Sequence, residues 1–197
     1  MYIPSYYKQK DIDKTIAFMQ AYNFASLISI QDNIPIATHL PFIIEKESNS
    51  IVVRREFSAG VSLVWDAWTK AEILDKWWAP KPWISKTKEM DFRPGGRRLY
   101  AMCGPNGEEH WGLTLYKMID PLKSFHGSDV FCDSQGNINT ALPEALFVTA
   151  FHAEEDKTLV VMITRYADLN QLETVIKMGM KEGLTMALDN LEEVLKG

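Results

Sequence analysis

The sequence predicts an α+β fold in which a long C-terminal helix lies on a curved antiparallel sheet. Two observations carry that expectation. From Ala167 to Gly197, the residues Leu169, Leu172, Ile176, Met180, Leu184, Ala187, Leu191 and Val194 recur at spacings of three or four, the apolar stripe of a helix with one buried face. Ahead of it, strand-like runs at about 84–92, 97–104, 110–119, 122–132, 144–153 and 157–166 are separated by breaks such as Pro94-Gly95-Gly96, Gly104-Pro105-Asn106-Gly107 and Asp120-Pro121. Short turns of this kind join neighbouring strands that run antiparallel. Asp168 stands where an N-cap is needed. Gly179 and Gly183 interrupt the stripe, and each costs about 1 kcal/mol relative to alanine in a helix. The pair therefore implies a close approach of another backbone, or space left beneath the helix.

The chain of 197 residues suits one ordinary domain with an appendage, and 46% apolar with 24% charged residues is the composition of a soluble globular protein. A net charge of −5 gives it no attraction for nucleic acid or an anionic membrane. No apolar run reaches the roughly 18 residues of a membrane span, and the first residues lack a signal peptide's apolar stretch. Cys103 and Cys132 are too few for a disulfide framework. They are expected as small, reduced, buried side chains in a cytoplasmic protein.

Residues 1–48 read as a small unit of their own. A short helix over Asp11–Tyr22 carries Ile12, Ile16, Phe18 and Met19, and two strands, Phe24–Ile30 and Ile34–Ile44, flank a turn at Gln31-Asp32-Asn33. The polar run Glu45–Ser50 reads as a linker. One helix and one hairpin cannot support a core alone, so this extension must lean on the rest of the chain or on a partner. A larger domain, 51–197, then begins with a strand over Ile51–Ser58. Two short helices follow, at 61–69 and Ala71–Trp78, the second ended by Pro80 and Pro82.

The larger domain contains, in order, REFSAGVSLVWDAWTKAEILDKWWAP, EMDFRPGGRRLYAMCGPNG, YKMIDPLKSF, KTLVVMITRYAD and GMKEGLTMALDNL. On these motifs residues 51–197 resemble the activator-of-heat-shock-protein-90-ATPase-like family of the SRPBCC (START and birch-pollen-allergen-like) superfamily. The resemblance implies a helix-grip fold, with about seven strands enclosing an apolar cavity beneath the C-terminal helix, and no fixed catalytic machinery. Ala79 replaces the glycine of a usual WWGP motif, and Leu184 replaces a common tryptophan. The first 45 residues, through MYIPSYYKQKD, FASLISI and IATHLPFII, resemble the start of PaiB-like FMN-binding split-barrel regulators. The remaining strands of that barrel do not follow. His39, in the ATHLP segment, therefore has no flavin site around it, and neither FMN nor any other cofactor is expected.

The four histidines, His39, His110, His126 and His152, lie far apart without metal-ligand spacing, so no metal is expected. No nucleophile elbow, phosphate-binding loop or dinucleotide fingerprint is present. RPGGRR reads as a hairpin turn. The resemblance supplies the inward positions of the strands, and side chains alternate from there. Arg98, Tyr100 and Met102 face the cavity on one strand, Phe147, Thr149 and Phe151 on another, and Val160, Met162 and Thr164 on a third. Met180, Gly183, Leu184 and Ala187 form the roof, and Trp77, Trp78 and Trp83 stand near the mouth. These residues either line a pocket or fill a core outright. Arg98 either orients an anionic head group on a hydrophobic ligand or reaches water or a nearby acid such as Glu89 or Asp91. On the opposite face Val148, Ala150, Val161 and Ile163 form an apolar patch. Residues 1–45 are expected to cover it, within the chain or swapped across a homodimer.

The leading expectation is a soluble, non-catalytic protein that binds a small hydrophobic or amphipathic molecule in the cavity. The alternative is an enzyme of the same fold, a hydrolase, cyclase or isomerase acting on an aromatic or polyketide-like substrate. It would draw on His126, His110, Tyr100 and Arg98. A third reading is a co-chaperone in the stress response, regulating a heat-shock ATPase.

Overall fold

The computed structural model describes residues 49–197 and, as backbone, the strands β1 (Ser26–Gln31) and β2 (Ile34–His39). These two pair antiparallel, from Ser26 opposite His39 to Gln31 opposite Ile34, as the turn residues between them require. The helix expected over Asp11–Tyr22 lies outside the described residues.

The larger unit opens with β3 (Ser50–Phe57), followed by α1 (Val61–Thr69) and the single turn of α2 (Ala71–Leu74). A meander follows: β4 (Ile84–Met90), β5 (Arg97–Cys103), β6 (Glu109–Asp120), β7 (Ser124–Cys132), β8 (Ala145–Glu154) and β9 (Lys157–Arg165). The seven strands form one antiparallel sheet in the order β3-β9-β8-β7-β6-β5-β4, so the first strand of the unit pairs with the last. This is the helix-grip architecture expected from the motifs.

The C-terminal stretch departs from one continuous helix. It forms α3 (Leu169–Lys177) and α4 (Met180–Leu195). Between them Gly179 takes φ 87° and ψ 20°, the left-handed conformation that glycine adopts without penalty. Gly183 continues α4 normally, its amide bonded to the carbonyl of Gly179 at 2.9 Å. The periodic stripe runs through both glycines, and only the first breaks the helix. Asp168 caps α3 as expected, accepting from the Gln171 amide at 2.8 Å. The second short helix also ends earlier than the sequence suggests, at Leu74 instead of Trp78.

The main core lies at one end of the concave sheet face, under α1 and the second half of α4. Val64, Trp65, Ala67 and Trp68 of α1 meet Phe57, Phe125, Phe151 and Val160 of the sheet and Leu188 and Leu191 of α4. The aromatic rings meet edge to face, at 5.2 Å for Trp65 and Phe151 and 4.6 Å for Trp68 and Trp77. Two polar ties fix the layers. Trp77 Nε1 donates to the Ala67 carbonyl at 2.8 Å, and Asn190 Nδ2 to the Ala79 carbonyl at 3.1 Å. On the outer face Leu99, Leu113 and Val130 form a smaller apolar cluster. The segment after β7 folds beside it, with Ile138 bridging Cys132 and Lys88 Nζ donating to the Ser134 carbonyl at 2.7 Å. Cys103 and Cys132 are free thiols, both half-buried.

Candidate functional site

Beneath α3 and the first half of α4 the concave face is not filled. A cavity of about 490 Å³ remains between helices and sheet. Protein interiors seldom leave a void larger than a water molecule, so a space this large has local causes. Gly112 on β6 lies under the Tyr100 ring; a Cβ there would stand 2.8 Å from the phenol oxygen. Gly127 on β7 lies under Phe147 in the same way, with 2.8 Å to the ring. Each aromatic rests on a cross-strand glycine, opposite Gly112 for Tyr100 and opposite Gly127 for Phe147, and the volume above the sheet stays open. In the roof, Gly183 faces the cavity with no side chain to lower into it.

The walls follow strand alternation. β5 supplies Arg98, Tyr100 and Met102, and β8 and β9 supply Phe147, Thr149, Met162 and Thr164. Thr114 and Tyr116 come from β6, and Phe125, Asp129 and Phe131 from β7. Met180, Gly183, Leu184 and Ala187 form the roof, while Trp68 and Trp78 close the end nearest the packed core. Twelve of the sixteen residues named from the sequence thus lie on the wall: Trp78, Arg98, Tyr100, Met102, Phe147, Thr149, Met162, Thr164, Met180, Gly183, Leu184 and Ala187. Trp77, Phe151 and Val160 lie instead within the packed core. Trp83 stacks on His110, with centroids 5.1 Å apart, and only the histidine reaches the wall. His126 alternates to the outer face, opposite the exposed Met118 and the half-buried Val148.

Arg98 is 2% exposed and its guanidinium is engaged within the protein. Nη2 donates to Ser85 Oγ at 2.9 Å and pairs with Asp75 Oδ1 at 3.1 Å, and Nε donates to Thr87 Oγ1 at 3.0 Å. The guanidinium also lies 4.1 Å from the Tyr100 ring centre. Its acid is thus Asp75, from the turn after α2, and neither Glu89 nor Asp91. Those two pair with Arg97 at 2.6 Å and Arg93 at 2.8 Å. Burial works against ionisation of Asp75. Hydrogen bonds from the Thr87 amide, the Thr87 hydroxyl and the Ser85 hydroxyl, with the Arg98 charge, still hold it below the usual carboxylate range.

Asp129, on β7, was not singled out in the sequence. It accepts from Thr114 Oγ1 at 2.5 Å, directly across the β6–β7 ladder. Burial pushes its carboxyl up to about 6, against the opposing pull of the Thr114 bond and the Arg98 charge. Its signal was parity: Phe125, Gly127 and Asp129 alternate on the inward face of one strand, and a carboxylate at such a position is unusual. Burial also raises the phenols of Tyr100 and Tyr166 to about 12, with Asp129 adding to the effect. Tyr116 is raised as well, for the same reason first. All three stay neutral at physiological pH. Among the described residues no group of three or more His, Cys, Asp or Glu side chains is arranged to hold a metal ion. No described helix is long and apolar enough to cross a membrane.

The model of the family described as activator of Hsp90 ATPase homolog 1-like protein matches residues 58–196. The chain belongs to this family. A second model, for an FMN-binding domain, matches residues 1–58, of which the described residues 49–58 do not line the cavity. Among solved structures, the family member is similar to a protein from Arthrobacter aurescens at 26% identity and TM-score 0.74, over 79% of this chain and 90% of that one. The crystal structure of Ms6760 from Mycobacterium smegmatis is similar at 30% identity and TM-score 0.71, over 79% and 97%. A protein from Staphylococcus epidermidis is similar at 27% identity and TM-score 0.69, over 78% and 93%. No curated protein matches the chain.

Proposed function

We propose that this protein binds one small hydrophobic or amphipathic molecule in the cavity between sheet and C-terminal helices, without chemically changing it. The observation that carries the reading is the retained space of about 490 Å³, within the range of small-molecule sites. Aromatic rings seated on glycines and a glycine in the roof keep it open, and its polar groups are few and fixed. Superfamily members mostly bind hydrophobic small molecules, which agrees with this use. Flavin has no part in the reading: the described wall residues fall between Trp68 and Ala187. An enzymatic use would rest on Asp129, the one carboxyl on the described wall. Of the residues first considered for catalysis, Tyr100 and His110 line the cavity, while His126 faces outward and Arg98 is committed to Asp75.

The test is native mass spectrometry of the protein purified from its own host, repeated after denaturation. A co-purifying molecule that is lost on denaturation supports the reading and gives the ligand class. Bound flavin, seen by its absorbance, would overturn the cofactor part. A protein that stays empty and takes up no hydrophobic probe would overturn the binding reading.

On the same reading, residues 1–45 cover the outer sheet face in the same chain or across a homodimer. Val148, Ala150 and Val161 are half-buried there and Ile163 is 37% exposed. Introducing Ile163→Lys should release the extension to proteolysis. Unchanged protease resistance would count against that contact.

A further inference from the structure

We infer that the ligand carries a protonated amine, which pairs with Asp129. The inference rests on the reading that the cavity binds a small molecule, and it names the class of that molecule.

Two charged side chains belong to the wall, and they are not equivalent. Arg98 is matched by Asp75 and hydrogen-bonded to Ser85 and Thr87. An incoming anion would have to displace those partners. Asp129 accepts one hydrogen bond, from Thr114, and no lysine, arginine or histidine of the described residues forms an ion pair with it. Among the described residues its second oxygen has no hydrogen-bond donor. A carboxylate in an apolar enclosure is costly until a donor or a cation meets it. The other titratable groups on this wall are His110 on β6 and the phenols Tyr100, Tyr116 and Tyr166, and none is paired with Asp129. The unmet demand of the site is therefore for positive charge.

The surroundings suit the same ligand. Tyr100, Tyr116 and Tyr166 on this wall lie close enough to feel the charge of Asp129, and Phe125, Phe131, Trp68 and Trp78 supply further aromatic surface to the cavity. Aromatic faces attract cations, while their bodies bury the apolar part of an amphipathic molecule. An anionic ligand would face Asp129, and the one arginine on the described wall is already paired with Asp75. A hydrophobic or aromatic amine satisfies both features at once.

The test uses three probes with one hydrophobic body: 1-naphthylmethylamine, 1-naphthylmethanol and 1-naphthoic acid, titrated calorimetrically into the full chain near neutral pH. The amine is expected to bind about tenfold or more tighter than the alcohol, the gain of one charge-assisted bond, with the acid weakest. Asp129→Asn keeps an acceptor for Thr114. It should abolish the preference for the amine, and a cooperative thermal melt shows that the variant is folded. Equal affinities for the three, or a preference for the acid, would overturn the amine inference and leave the binding reading standing. An amine preference that survives in Asp129→Asn would overturn the assignment to this residue. Failure of all three probes to bind would remove both the binding reading and the inference built on it.

Discussion

One sheet face carries two regions of opposite character. At the end under α1, Trp65, Trp68, Trp77 and Phe151 meet edge to face with Phe125 tilted against Phe151, and of these rings only Trp68 and Phe125 reach the cavity. At the end under the α3–α4 junction, Tyr100 and Phe147 settle over Gly112 and Gly127, and a cavity remains. Both regions are rich in aromatic residues, so composition does not distinguish them. What differs is the neighbour each ring meets: another side chain in the first region, a cross-strand glycine in the second. Binding capacity here is a property of where side chains are missing.

That contrast breaks most visibly by truncation. Trp77→Ala removes a fully buried ring from the packed end and its bond to Ala67; it should cost about 3–5 kcal/mol in urea unfolding. Met162→Ala, on a wall that already borders space, should cost well under half of that. Equal losses would show that the two regions are packed alike.

Next in size is the ion pair. Arg98→Met leaves Asp75 without its cation, and a loss of about 2–3 kcal/mol is expected. The figure stays below that of a fully buried pair because the Asp75 side chain is 26% exposed and keeps its bonds from Ser85 and Thr87. Adding Asp75→Asn should restore part of the loss. A double variant as unstable as the sum of the two single ones would show that the charges are not coupled.

Asp129 gives a smaller effect of opposite sign. Its folded pKa of about 6 exceeds the unfolded value of about 3.8, so the folded protein holds this proton more tightly. The resulting stability is complete below about pH 4 and is lost as pH rises through 6. Asp129→Asn should therefore stabilise the empty protein by about 1–2 kcal/mol at pH 8. That is less than the full shift implies, because the carboxyl borders the cavity. The gain should shrink toward zero between pH 6 and 4. Thermal melts across that range check the sign, and a gain independent of pH would refute the titration argument.

The smallest effects separate the two glycines. Gly179→Ala forces a side chain into the left-handed region and should cost about 1 kcal/mol. Gly183→Ala meets only the Pro80 ring, at 3.8 Å, and should gain up to about 1 kcal/mol from helix propensity. Melting temperatures that move in the same direction for both would contradict the assigned hinge.

The fold was legible because its signals are local. Gly95-Gly96 and Asn106-Gly107 mark the connections on either side of β5, and Asp168 caps α3 where the stripe begins. Most of the wall could be read once the inward parity of β5, β8 and β9 was set. Two things escaped. The choice of Gly179 over Gly183 as the break depends on backbone angle, which spacing does not encode. The partner of Arg98 also escaped, because Asp75 lies in the turn after α2, in a stretch whose sequence reads as helix as far as Trp78. Asp129 was missed for a narrower reason: the parity argument stopped short of β6 and β7, where it would have turned a carboxylate inward.

The placing of β3 beside β9 bears on how the chain assembles. The six strands from β4 to β9 each pair with the next, so that ribbon can zip up from contacts close in sequence. β3 has no such neighbour. Ser50 finds its partner only at Arg165 and Phe57 only at Thr158, a closure that carries the entropy of almost the whole domain. On the ribosome β3 emerges before the other six strands of its sheet and must wait for nearly all of them. Until β9 arrives, the hydrogen-bonding groups of β3 stay unpaired and its apolar Val53 and Phe57 uncovered. Protection of β3 amides should therefore appear last in refolding, and a chain stalled before β9 is the form most exposed to aggregation.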